Sequence, residues 1–245
     1  MTILFYILFS SFLISLIALI GIFALSNKKD FLQKIVFFLV SLSAGTLMGG
    51  AFLHLMPEAL ERLKPESVFG VVLISFSSFY LIEKIFHWRH CHEPECKIHT
   101  FGYMNLVGDG IHNFIDGLII AAAFLTNIPL GISTTVAIAI HEIPQEIGDF
   151  GVLISSGLER NKALFLNFLV ALTTMLGSII GYFLAAGVGP LKIYLLAFAA
   201  GGFLYISASD LIPEIRKEVE LKKSLISFFF FLIGLIIIYF LKDIV

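Results

Sequence analysis

Two polar strings interrupt apolar stretches of this chain: His112-Asn113-Phe114-Ile115-Asp116-Gly117 and His141-Glu142-Ile143-Pro144-Gln145-Glu146. Imidazole and carboxylate groups are donors for first-row divalent cations. Residues four apart share a helix face, so His112 stacks with Asp116 and His141 with Gln145. Two such faces turned together make a cation site from His112, Asp116 and His141, with Gln145 as a weaker fourth donor. That set carries one formal negative charge, so a bound divalent cation keeps a net positive charge, which suits a site that must release its ion. One step round the helices, Asn113, Glu142 and Glu146 form a second set that could hold another ion or share a proton. Asp109 precedes His112 by three residues and is placed to orient it from behind. Asp149 follows Glu146 by three and reads as an exit-path carboxylate.

The elements that must position these residues are membrane helices. The chain has 245 residues, 58% hydrophobic and 14% charged, with a mean hydropathy of +0.98. Soluble domains average roughly 25% charged, so residues 1–245 read as one polytopic transmembrane domain. Ionisable groups at membrane depth are costly unless they pair or bind something. Eight segments are long and apolar enough to span, at about 3–25, 33–57, 68–87, 103–126, 130–155, 163–187, 191–212 and 224–241. The first is uncharged and longer than a signal-peptide core, so no cleavable leader is expected. Pro144 interrupts the fifth segment, removing one donor and disturbing the carbonyl of Ile140. Of the 16 Lys and Arg residues, twelve fall on one set of flanks and four (Arg62, Lys64, Lys192, Lys242) on the other. The positive-inside rule then places both termini outside the cytoplasm.

The chain also repeats itself. Ala44-Gly45 precedes His54-Leu55-Met56-Pro57-Glu58 at the interval by which Ala200-Gly201 precedes Asp210-Leu211-Ile212-Pro213-Glu214. Segments 2 and 7 run in opposite directions, as do 4 and 5. The fold expected is therefore an all-α membrane protein of eight helices, 3+2+3, with inverted repeats, a transporter signature. His54 and Asp210 occupy equivalent repeat positions and read as pathway residues.

The stretches Asn105 to Gly117 and His141 to Asp149 resemble the ZIP (Zrt/Irt-like) family of metal-ion transporters, through its HNFxDG and HExPHExGD segments. The resemblance runs along nearly the whole chain. It implies transport of divalent cations into the cytoplasm, zinc first, with iron, manganese and cadmium as other substrates, and no resident cofactor. It implies a first site of His112, Asp116, His141 and Gln145, a second using Asn113, Glu142 and Glu146, an elevator-like motion and a homodimer. Two departures stand out. Gln145 replaces a family His, which weakens strict zinc selectivity. The sixth segment has no charged residue between Ala163 and Leu191, only Asn167, Thr173, Thr174, Ser178 and Tyr182 as polar groups.

Between segments 3 and 4, His87, His90, Cys91, His92, Cys96 and His99 crowd a predicted cytoplasmic loop. Reduced thiols and imidazoles there read as a flexible metal chelator. Competing readings are efflux, a metal sensor without transport, and an intramembrane zinc protease built on His141-Glu142. The protease needs a second His at position 145, where this chain has Gln. The chain thus reads as a transporter rather than an enzyme. Its partners are metal ions and lipid, not nucleic acid, and its expected location is a prokaryotic cytoplasmic membrane.

Overall fold

The computed structural model describes residues 2–20, 29–88, 98–187 and 190–244. The regular elements among these are helical: α1 (Thr2–Ile17), α2 (Lys29–Gly49), α3 (Met56–Leu60), α4 (Pro65–Trp88), α5 (Ile98–Thr126), α6 (Ile128–Ser155), α7 (Arg160–Ala171), α8 (Thr173–Gly187), α9 (Leu191–Tyr205), α10 (Ile212–Ile215) and α11 (Leu221–Ile244). Among the described residues, seven helical stretches are long and apolar enough to cross a membrane. The segment expected at 130–155 is the 28-residue helix α6, about 42 Å long at 1.5 Å per residue. It has the length but not the apolarity, because it carries His141, Glu142, Gln145, Glu146 and Asp149. Residues 89–97, which hold His90, Cys91, His92 and Cys96, lie outside the described residues, as do the side chains of His87 and His99.

The internal repeat has a local structural counterpart. A wide π-helical turn, Gly50–Leu55, joins α2 to α3, and another, Ile206–Leu211, joins α9 to α10. Each residue of the second turn lies 156 positions after its counterpart in the first. In both, a proline (Pro57 or Pro213) stands in the short helix that follows. A proline lacks the N–H that would bond four residues back, and its ring crowds that carbonyl. A π turn supplies the extra room. His54 and Asp210 fall at the same place in the two turns.

Helix pairing follows the same correspondence. Gly45 of α2 sits so close to α11 that a Cβ there would meet the Phe231 carbonyl and the Gly234 backbone. Gly201 of α9 sits likewise against the Val72 carbonyl and Ser75 of α4. Small residues at these crossings let backbones approach where no hydrophobic drive separates protein from lipid. α5 packs on α8 in the same way, with Gly117 against the Thr174 carbonyl and Gly177 against the Phe114 carbonyl.

Hydroxyls satisfy the carbonyls that helix breaks release. The Ser43 hydroxyl donates to the Ile140 carbonyl at 2.8 Å, the group that Pro144 leaves without its helical donor. α6 therefore stays helical through the proline. Ser15 donates at 2.8 Å to the carbonyl of Ala171, beside the break at Leu172 that divides α7 from α8. Such breaks are tolerated in a bilayer where neighbours supply the missing bond.

α5 and α6 form a hairpin whose only non-helical residue is Asn127, with extended backbone. Its side-chain oxygen accepts from the Leu130 N–H at 2.8 Å and caps α6. Lys192 donates to the Leu125 carbonyl at 3.1 Å, closing the end of α5. With a one-residue turn, residues equally distant from Asn127 on the two helices lie opposite one another. That reflection positions the functional side chains.

Candidate metal centre

His112 and Asp116 of α5 meet His141 and Glu142 of α6, with one donor atom from each within 4.8 Å of the others. The two Nε2 atoms are 3.2 Å apart. His112 Nε2 lies 3.7 Å from Asp116 Oδ2 and 3.4 Å from Glu142 Oε1. His141 Nε2 lies 3.4 Å from each of the same two oxygens. A tetrahedron with zinc-like bonds of about 2.0–2.1 Å has edges of about 3.3 Å. The five measured separations are close to such edges.

The second nitrogen of His141 is committed. Nδ1–H donates to the Ala137 carbonyl at 3.2 Å, leaving the Nε2 lone pair for the cluster in the neutral ring. Asp116 is 2% exposed and Glu142 fully buried. Asp116 Oδ2 and both Glu142 carboxylate oxygens are buried with no hydrogen-bond partner. Leaving carboxylate oxygens without donors is expensive in a dry interior, and a cation is the group that would satisfy them. The cluster lies 11 to 15 residues before Asn127 on α5, about 16–23 Å along the helix. That is mid-depth for a hydrocarbon core of about 30 Å.

The histidine–carboxylate grouping adds Glu142 to the expected His112, Asp116 and His141. Gln145, expected as the fourth donor, lines the cavities beside both His112 and His141, and its amide donates to Asp109 Oδ1 at 3.4 Å. With Glu142, the histidine–carboxylate cluster carries two formal negative charges, where the expected set with Gln145 carries one. A divalent cation would be neutralised there. Members of the second expected set have polar partners of their own. Asn113 donates to Asp109 Oδ1 at 2.8 Å and accepts from the Thr174 hydroxyl at 2.7 Å. Glu146 accepts from the Asn167 amide. The neutral polar residues of α7 and α8 thus face Asn113 and Glu146. The imidazole that a protease motif would place at position 145 comes instead from His112, on the neighbouring helix.

A cavity of about 370 Å³ adjoins the cluster on the His112 side and includes Asp109, Gln145, Asn105 and Asp149. Its far wall holds Glu83, Tyr205 and Asp210, and the Tyr205 hydroxyl donates to Glu83. Glu83 and Tyr205 are additions of the structure. They come from distant helices, and no spacing links them in sequence. Asp210 also lines a cavity of about 260 Å³ on the His141 side. His54 lies elsewhere, in a cavity of about 250 Å³ with Glu58, Glu61 and Asn127, where its Nδ1 is 2.7 Å from the Ser133 hydroxyl. Between that cavity and the cluster, Ala137, Ile138 and Phe203 are buried, and the Phe203 ring lies 6.2 Å from that of His141.

These features define a helical integral membrane protein with a buried histidine–carboxylate cluster that could hold a cation. The ZIP zinc transporter family profile matches residues 1–97 and 89–242. The chain belongs to the ZIP zinc transporter family. It is 34% identical over 204 residues to zinc transporter ZIP13 of Pongo abelii, covering 76% of this chain and 61% of the relative. It is 32% identical over 225 residues to zinc transporter ZIP13 of Mus musculus, covering 74% and 62%. It is 28% identical over 246 residues to zinc transporter YKE4 of Saccharomyces cerevisiae, covering 85% and 71%. The chain spans about three fifths of the length of the ZIP13 relatives it matches.

Proposed function

We propose that this protein carries divalent metal cations, zinc foremost, across a membrane into the cytoplasm, and that the cargo is held by His112, Asp116, His141 and Glu142. One observation carries the reading: two imidazoles and two buried carboxylates with unpartnered oxygens, spaced like a tetrahedral ligand set, at membrane mid-depth. The names of the relatives agree with it. Two charges and two nitrogen donors favour zinc, cadmium and iron(II) over magnesium or calcium, which take all-oxygen shells. Asn113 and Glu146, backed by Thr174 and Asn167, form a neighbouring position that holds a proton or a more weakly bound second ion. The loop carrying His87, His90, Cys91, His92, Cys96 and His99 is proposed as a cytoplasmic chelator.

The eight-helix 3+2+3 arrangement with inverted repeats belongs to the same proposal. It is supported by the paired π turns and by the matched glycine crossings of α2 with α11 and α9 with α4. The distribution of Lys and Arg supports outer termini. Under that orientation the cavity beside Asp149 faces the cytoplasm and the His54 cavity faces out. A prokaryotic cytoplasmic membrane and a homodimer are further parts of the proposal. The relatives named above come from animals and a yeast and add no support to the prokaryotic part.

The test is uptake of zinc, iron(II), manganese and cadmium into proteoliposomes. Saturable flux that is lost in Asp116→Ala and in His141→Ala, with both variants still folded in the membrane, supports the reading. Normal flux in both variants sinks the site. Metal binding without flux, under every imposed pH gradient, makes the protein a sensor.

A further inference from the structure

The hairpin at Asn127 sets three polar rungs one above another between α5 and α6. The first is His112 opposite Glu142, within the cluster. The second is Asp109 with Gln145, joined at 3.4 Å. The third is Asn105 with Asp149, joined at 2.8 Å. All three pairs are mirror positions about Asn127, and successive rungs are three or four residues apart, one helical turn or about 5 Å. Asn105, Asp109, His112, Gln145 and Asp149 all border the 370 Å³ cavity.

The two lower rungs share one chemistry, a carboxylate paired with a carboxamide. In each, one carboxylate oxygen accepts from the amide NH₂. The other, Asp109 Oδ2 or Asp149 Oδ2, is buried with no hydrogen-bond partner. Asp109 as a residue is only 5% exposed. A buried carboxylate oxygen beside a cavity, without a donor, needs a cation or water to complete it. An amide that donates through nitrogen still offers its own carbonyl oxygen as a hard ligand. Each lower rung therefore presents oxygen donors and one negative charge, where the cluster presents two nitrogens and two charges.

Resting on the transport reading above, we propose that Asp109–Gln145 and Asn105–Asp149 are two successive all-oxygen stations through which the divalent cation leaves the His112/Asp116/His141/Glu142 cluster. Oxygen-only, singly charged stations hold zinc or cadmium more weakly than the cluster does. Descent along the rungs thus runs from tight to weak binding in steps of about one turn. A partly hydrated ion can be passed without crossing an apolar gap. These residues are carriers of the path, and the cluster alone fixes the cargo.

The experiment uses the full chain and two isosteric variants, Asp109→Asn and Asp149→Asn, with their double variant. Cadmium and zinc binding is measured at equilibrium on purified protein, and initial uptake rate in proteoliposomes. Wild-type protein should show one tight cation and a weaker class binding at higher metal. In the double variant the weaker class should shrink to what the His/Cys loop and the Asn113/Glu146 position bind, and the tight Kd should stay within about twofold. Maximal flux should fall about tenfold in each single variant, the scale seen for groups beside direct ligands, with KM little changed. Full flux together with an unchanged weaker class in the double variant would overturn the stations. So would loss of the tight class, which would make Asp109 and Asp149 supports of the cluster. If wild-type protein shows no flux but the weaker class is present and is reduced in the double variant, the stations stand and the transport reading falls.

Discussion

Glu142 decides the charge of the centre. With Asp116 it offers two negative charges to a divalent cation, and both of its oxygens lie buried without a hydrogen-bond donor. Glu142→Gln keeps the shape and removes one charge. Zinc affinity should drop by at least about tenfold, since even groups outside the ligand shell contribute on that scale. Titration of the purified variant with zinc checks this, and an unchanged Kd would return Gln145 to the fourth place. His141 is held differently, through its Nδ1–H to the Ala137 carbonyl. His141→Gln lacks a ring that can donate on one side and ligate on the other. Cadmium binding should be lost while the thermal midpoint moves by only a few degrees, a combination that separates a ligand from a packing residue.

Between helices the decisive contacts are small and polar. A Cβ on Gly117 would meet the backbone of Thr174 and Ser178, so Gly117→Val should cost about 1–3 kcal/mol of stability through overpacking. Gly148 has open space around it, and Gly148→Ala should leave the melting temperature no lower. Ser43→Ala removes the donor that serves the Ile140 carbonyl beside Pro144. Its expected cost is about 0.6 kcal/mol, the average for interhelical hydrogen bonds in membranes, read from unfolding in mixed detergent. The existence and rough bounds of most helices were legible in the sequence because apolar length marks a span, and α6 was legible by its length despite its polar residues. So were the repeat and the two site strings, since their spacing is local. The meeting of Glu142 with His112 was not. An interval of four along α6 points from His141 to Gln145, but the partner across the hairpin is chosen by register about Asn127, and that brings Glu142 to His112. Glu83 and Tyr205 were likewise hidden, because the approach of α4 to α9 is set by the contact of Gly201 with Val72 and Ser75 rather than by any periodicity.

At the scale of the molecule, the cluster adjoins cavities on the side of Asp149 and Asp210, while Ala137, Ile138 and Phe203 separate it from the cavity of His54 and Glu58. The proposed orientation makes this an inward-facing arrangement. In a background with Cys91 and Cys96 replaced by Ser, Asp210→Cys should react with a membrane-impermeant thiol reagent applied from the cytoplasmic side only. Glu58→Cys should react from the outer side only, and Ile138→Cys, fully buried, from neither. Reaction of Ile138→Cys from outside would reverse the assignment of the closed side. The one-residue turn at Asn127 has a consequence for how this chain tolerates change in length. Adding a single residue there displaces every mirror pair by one position, about 100° of helix rotation, although no ligand has been altered. His112 would lose Glu142, Asp109 would lose Gln145 and Asn105 would lose Asp149 in one step. The position least able to absorb an insertion is thus a capping asparagine at the membrane edge, about 16 Å from the nearest side chain of the cluster along the helix.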